Sequence, residues 1–147
     1  MISQKAKYAL RALVAIAKAE SGKTLVIADI ASDQNIPKKF LEQILLDLKR
    51  HGILASRRGK DGGYLMQKQP SEVTFGEILR IVDGPIAPLP CLSKIAYRRC
   101  GDCGDESSCE IRKVFAEVAQ ASRRVLDGTT LVDAIGNGVF LNAGDLE

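Results

Sequence analysis

The 147-residue chain has no tryptophan, only 5% aromatic residues and a single histidine, His51. A Ser-His or Cys-His catalytic pair would have to be built on that one ring. No phosphate-binding glycine loop or dinucleotide fingerprint is present. The Gly59–Gly63 stretch joins strand to strand and lacks the following helix that an anion cradle requires. These shortages argue against an enzyme. Long apolar runs are missing too. The opening MISQKAKYALRALVAIAKAE is interrupted by Lys7, Arg11 and Lys18, unlike a signal peptide, and no later run reaches membrane-spanning length. A cytoplasmic protein without a membrane partner is expected.

What is present is an ordinary apolar fraction of 46%, rich in helix formers, enough for one core. The net charge of +3 is unevenly spread. Residues 1–80 carry 14 Lys/Arg against 8 Asp/Glu, and residues 81–147 carry 7 against 10. A basic front half and an acidic back half suit a DNA-contacting module joined to a part that faces away from phosphate.

Periodicity predicts a helix over 3–20, with Ala6, Leu10, Leu13, Val14 and Ala17 inward. A short helix over 27–34 follows, with Ile27, Ile30 and Ala31 on one side, then a brief turn at Gln34-Asn35-Ile36. Pro37 suits the first position of a third helix. There Phe40, Leu41, Ile44, Leu45 and Leu48 form an apolar face and Lys38, Lys39, Glu42, Gln43, Asp47 and Arg50 look outward. His51, next to Gly52, reads as a helix cap or phosphate contact. Ile53–Arg58 and Tyr64–Gln67 read as strands around Asp-Gly-Gly, strong hairpin chemistry. Arg57, Arg58 and Lys60 lie near its tip.

A tight helix pair, a basic second helix and a hairpin make a winged helix–turn–helix. The fold class expected is mainly α with a small β-hairpin wing and a long C-terminal dimerisation helix. Thr74–Asp83 adds a helix with Phe75, Ile78, Leu79 and Val82 inward. Residues 109–126 form the last long helix, whose Ile111, Val114, Val118, Ala121 and Val125 make a short coiled-coil seam suited to a homodimer. Thr130 and Asp133 offer a capping box, and the tail from Gly136 reads as loosely structured. The domain reading is 1–84 for DNA binding, 85–108 for a cysteine-rich metal-binding loop, and 109–147 for the dimerisation helix and tail.

All four cysteines, Cys91, Cys100, Cys103 and Cys109, fall in that loop or at its end, spaced C-x8-C-x2-C-x5-C. Thiolates suit iron–sulfur clusters and zinc. Zinc sites usually show two short cysteine pairs, and here only Cys100 and Cys103 make one. A metal-free thiol switch is the third reading, in which Arg98, Arg99, Arg112 and Lys113 lower nearby thiol pKa values.

In combination these stretches resemble the IscR/NsrR/RirA family of bacterial iron–sulfur regulators. The carrying residues are Lys7–Leu13, Ile36-Pro37 with Phe40–Leu45, Arg58–Tyr64, Gly76-Glu77-Ile78 and the cysteine loop before the long helix. The resemblance implies a homodimer with crossed long helices that reads palindromic double-stranded DNA. It implies that Glu42 and Gln43 face the bases and that Arg58 enters the minor groove. It also implies a cluster, [2Fe–2S] or [4Fe–4S], near the dimer interface, whose state biases DNA binding.

The chain departs from the family pattern of three cysteines and a fourth ligand of another type. Cys103 and Cys109 match the second and third, Cys91 matches the first at longer range, and Cys100 is extra. The positions that hold a His or an Asp ligand in two branches of the family are here Arg112 and Lys7. An all-cysteine site within one subunit is therefore expected.

Overall fold

The computed structural model describes residues 2–136. Among the described residues six α-helices and one two-stranded sheet follow in the order α1 (Gln4–Lys18), α2 (Ile27–Gln34), α3 (Lys38–Arg50), β1 (Leu54–Arg57), β2 (Gly63–Met66), α4 (Phe75–Asp83), α5 (Glu110–Gly128) and α6 (Leu131–Gly136). The mainly helical class with a hairpin is as the sequence predicts. The expected loose tail beyond Gly136 lies outside the described residues.

The core is made by α1, α2, α3, β1, α4 and α6, with Leu13, Ile30, Leu41, Ile44, Leu45, Leu48, Leu54, Ile78 and Leu131 all buried. Of the α1 residues expected inward, Ala6 and Leu13 are buried and Leu10, Val14 and Ala17 pack at the edge of the core. The buried stripe of α1 is Ala6, Ala9, Ala12, Leu13 and Ile16. Small alanines face inward because α1 packs against α3, α4 and α6 at once, and only short side chains let several helices approach one face. Phe40, expected inward, stays 37% exposed and packs edge-on against Tyr8, with ring centroids 5.6 Å apart.

The turn between α2 and α3 closes through Asn35, whose φ of 52° and ψ of 53° are left-handed, a conformation asparagine tolerates better than most residues. Ile36 N–H then reaches back to Ala31 O at 2.9 Å, and the Ile36 side chain is buried, as in a Schellman ending. Pro37 is the extended residue before α3 rather than its first helical residue, and its carbonyl accepts from Leu41 N at 2.9 Å. His51 caps the other end, its Nδ1 2.8 Å from Asp47 O.

The wing pairs antiparallel from Leu54 opposite Met66 to Arg57 opposite Gly63. Its open edge is covered by Leu25, which exchanges two 2.8 Å hydrogen bonds with Tyr64. Gly63 has φ +143°, and a Cβ there would collide with the Leu25 carbonyl. Only glycine lets the α1–α2 connection close onto the hairpin.

The long helix α5 returns to this body at its C-terminal end. Phe75 N–H donates to Thr129 O and Leu131 N–H to Val73 O, both at 3.0 Å. Asp127 pairs with Arg80 of α4 through two bonds of 2.6 and 2.8 Å. That guanidinium holds the Asp127 carboxyl below its usual range. Gly76 leaves the space that the Asp127 carboxylate occupies. Thr130 and Asp133 then cap α6 reciprocally, as the sequence suggests.

Candidate nucleic-acid interface and cysteine loop

The polar side of α3 follows from its burial pattern: once Leu41, Ile44, Leu45 and Leu48 face the core, the opposite stripe must be exposed. Lys39, Gln43 and Arg50 fall four and seven residues apart along it, flanked by Lys38 and Glu42. All five are exposed. Asp47, expected to look outward, is instead half-buried. It lies 3.1 Å from Lys5 Nζ of α1 and 3.7 Å from Arg50 Nη1, and accepts from Gln43 Nε2 at 3.0 Å.

The wing is tied to this helix by the 2.7 Å bond from Lys49 Nζ to Ser56 Oγ. Arg58 and Lys60 are exposed in the turn, and among the described residues no side chain holds them. Arg57 is exposed but engaged, its Nη1 donating to Gly22 O at 3.1 Å. It braces the wing against the α1–α2 turn.

Two contributors were not legible in the sequence. Arg11 donates to Gln34 O and lies 5.9 Å from the Tyr8 ring centroid, stiffening the helix–turn–helix bend. Lys5, the partner of Asp47, is 42 residues away from it in sequence. No local pattern signals such a pair.

The cysteine region hangs between α4 and α5. Arg98 N–H donates to Pro90 O at 3.1 Å, closing the stretch that leads from Cys91 to Cys100. Cys91 is buried, Cys100 exposed, and Cys103 and Cys109 intermediate; all four are free thiols. Cys109 is the N-cap of α5, its sulfur accepting from Arg112 N at 3.4 Å. The loop is fastened to α5 by Arg123, which donates to Ile86 O at 3.2 Å and Leu92 O at 2.8 Å.

The expectation that the local arginines depress the thiols fails at Cys100. Partial desolvation, then the neighbouring Cys91, Asp102 and Cys103, push it up. Arg99 is turned to the carbonyls of Cys103 and Gly104 instead, at 3.3 and 2.8 Å. Among the described residues no three Cys, His, Asp or Glu side chains are gathered around a point that would suit one metal ion. An iron–sulfur cluster holds its thiolates farther apart than a single ion does, and an all-cysteine donor set is its usual ligand chemistry. Arg112 Nε, one turn beyond Cys109, is buried without a partner, as a donor awaiting an anionic acceptor would be. Cys91 and Cys103 lie beside Cys100, whereas Cys109 is placed apart as the cap of α5, next to this orphan donor.

On α5, Ile111, Val114, Val118 and Val125 are 63, 62, 47 and 59% exposed in the single protomer. These side chains form an uncovered apolar stripe along α5. Among the described residues no helix is long and apolar enough to cross a membrane.

A helix–turn–helix with a tethered wing and a basic outer face defines a winged-helix transcriptional regulator. The chain belongs to the Rrf2 family, whose model, described as an iron-dependent transcriptional regulator, matches residues 2–137. The resemblance to IscR-type regulators read from the sequence is thereby borne out. The chain is 50% identical over 141 residues to a protein of Rhodobacter capsulatus described as an rrf2-like HTH-type transcriptional regulator, covering 94% of each chain. It is 27% identical over 144 residues to the HTH-type transcriptional regulator IscR of Cronobacter sakazakii, covering 98% of this chain and 85% of that one. Its fold matches the solved structure of CymR, the global cysteine regulator of Bacillus subtilis, with a TM-score of 0.77 and 30% identity, covering 92% of this chain and 95% of that one. These relatives are named as regulators, not enzymes.

Proposed function

We propose that this chain is a cytoplasmic, sequence-specific repressor that binds a palindromic site on double-stranded DNA as a homodimer. Its DNA affinity is set by an iron–sulfur cluster held by Cys91, Cys100, Cys103 and Cys109. The observation that carries the DNA reading is the exposed stripe of α3, bound through Lys49 and Ser56 to a wing whose Arg58 and Lys60 are exposed. Lys38, Lys39, Arg50 and Lys60 contact phosphate and set register, a sequence-independent task. Glu42 and Gln43 read base edges, since glutamine can make a bidentate contact with adenine and glutamate can accept from cytosine N4. Arg58 enters the minor groove, and Arg57 holds the wing.

The cluster, when bound, supplies a state that responds to redox conditions, iron, nitric oxide or sulfur supply. The family description as iron-dependent and the four-thiol loop support this. Arg123 joins that loop to α5, and Arg80 with Asp127 joins α5 to α4. The state of the loop therefore bears on how α5, and the partner protomer on its seam, meets the DNA-binding body. A second reading, a metal-free thiol switch, is favoured by the closeness of the Cys91 and Cys100 thiols. Disulfide formation in a colourless, iron-free protein distinguishes it.

The DNA reading is tested by substitution on a duplex selected from a random pool. Gln43→Ala is expected to relax preference at one position per half-site by roughly 1–3 kcal/mol. Lys39→Ala and Lys60→Ala are expected to weaken all duplexes alike and flatten the salt dependence. If none of these variants alters DNA affinity, the surface is misassigned.

A further inference from the structure

We propose that Asp47 is a positioning residue for base readout, holding the Gln43 carboxamide in the orientation that meets a base edge while Lys5 of α1 neutralises it. This rests on the reading above that Gln43 faces the bases. Gln43 Nε2 donates to Asp47 Oδ1 at 3.0 Å, and Lys5 Nζ lies 3.1 Å from the other carboxylate oxygen.

A glutamine side chain carries one acceptor oxygen and two N–H donors. A bidentate contact with adenine uses the oxygen and one N–H. The second N–H is spare, and tying it down costs the readout nothing. An ionised carboxylate only accepts, so the nitrogen of Gln43 and not its oxygen must face Asp47. That removes the flipped amide orientation, which would offer a base the wrong donor and acceptor order. It also orders a flexible side chain before DNA arrives, so less freedom is lost on binding.

A bare carboxylate on this surface would repel phosphate. Lys5 lies against Oδ2 and Arg50 is 3.7 Å from Oδ1, so the negative charge is balanced on both sides. The hydrogen bond from Lys5, against partial desolvation and with help from Gln43, holds the Asp47 carboxyl below its ordinary range. It is therefore ionised at neutral pH and remains an acceptor. Because Lys5 sits on α1, the orientation of a reading side chain on α3 is set partly by the helix packed behind it.

The experiment starts from duplexes that the wild-type protein selects from a random pool. The base pair whose substitution Gln43→Ala no longer distinguishes is the pair read. The ratio of dissociation constants for substituted and selected duplex is then measured for Asp47→Ala, Asp47→Asn and the double variant with Gln43→Ala, alongside Tm. Asp47→Ala is expected to lower the ratio roughly five-fold or more. Its affinity for random duplex should stay within about two-fold of wild type. Asp47→Asn, whose side-chain oxygen still accepts, should keep most of the ratio. In the Gln43→Ala background Asp47→Ala should change the ratio no further. If Gln43→Ala collapses the ratio and Asp47→Ala leaves it intact, the positioning role is wrong and the base reading stands. A uniform loss on all duplexes with a lowered Tm would make Asp47 merely structural and also overturns the proposal. If no ratio responds to Gln43→Ala, the base reading itself fails.

Discussion

Val114→Glu combined with Val118→Glu is expected to convert the proposed homodimer to a monomer and to weaken its binding to a palindromic duplex by roughly 100-fold or more. Both valines stand exposed on α5 in the single protomer, between Ile111 on one side and Val125 on the other. Covering each of these side chains by a partner helix contributes about 1.5–3 kcal/mol. The interval from Ile111 through Val114, Val118 and Ala121 to Val125 is the alternating three and four of a coiled-coil seam. Two glutamates from each protomer would lose that burial and crowd four carboxylates into one interface. A monomer engages one half-site at a time and forfeits the gain from linked binding. The protomer itself should survive, because neither side chain belongs to its core. Sedimentation or light scattering reports the mass, and thermal unfolding confirms the retained fold. A variant that stays dimeric would remove α5 from the interface.

Leu131→Ala is expected to cost about 2–5 kcal/mol of stability, as large-to-small changes at fully buried sites do. Leu131 is fully buried at the start of α6 and belongs to the same core cluster as Leu13, Ile44, Leu45 and Ile78. Its backbone N–H is also fixed to Val73 O. The segment after the long helix therefore closes the DNA-binding body. Urea unfolding measures the loss, and a change below about 1 kcal/mol would place Leu131 outside the cooperative core.

That role for Leu131 marks where reading the sequence stops. The hairpin was legible because Asp-Gly-Gly demands turn geometry, and α3 because its apolar residues recur with helical period. The exposed face of α3 and the apolar stripe of α5 follow from the same periodicity. Ala6 is legible as inward, but Ala9 and Ala12 are not, because bulky Leu10 and Val14 carry more hydrophobicity than the small residues that close packing selects. Helical periodicity places Phe40 on the apolar face of α3, whereas its neighbour Tyr8, on another helix, gives it a half-exposed edge-on seat. Asp47 looked like a solvated charge because its partner Lys5 lies on α1. The cysteine spacing indicated thiolate chemistry, yet the separate placing of Cys91 in the interior and Cys109 at a helix cap depends on how the loop closes through Pro90 and Arg98.

Ligation of an iron–sulfur cluster by these cysteines is tested most directly by iron and sulfide analysis of anaerobically purified protein, with Cys100→Ala and Cys103→Ala beside wild type. Iron and sulfide are expected in near-equal amounts in the wild type, with an equal loss of both in the two variants. A colourless wild-type protein that takes up no iron even after anaerobic reconstitution would contradict this ligation.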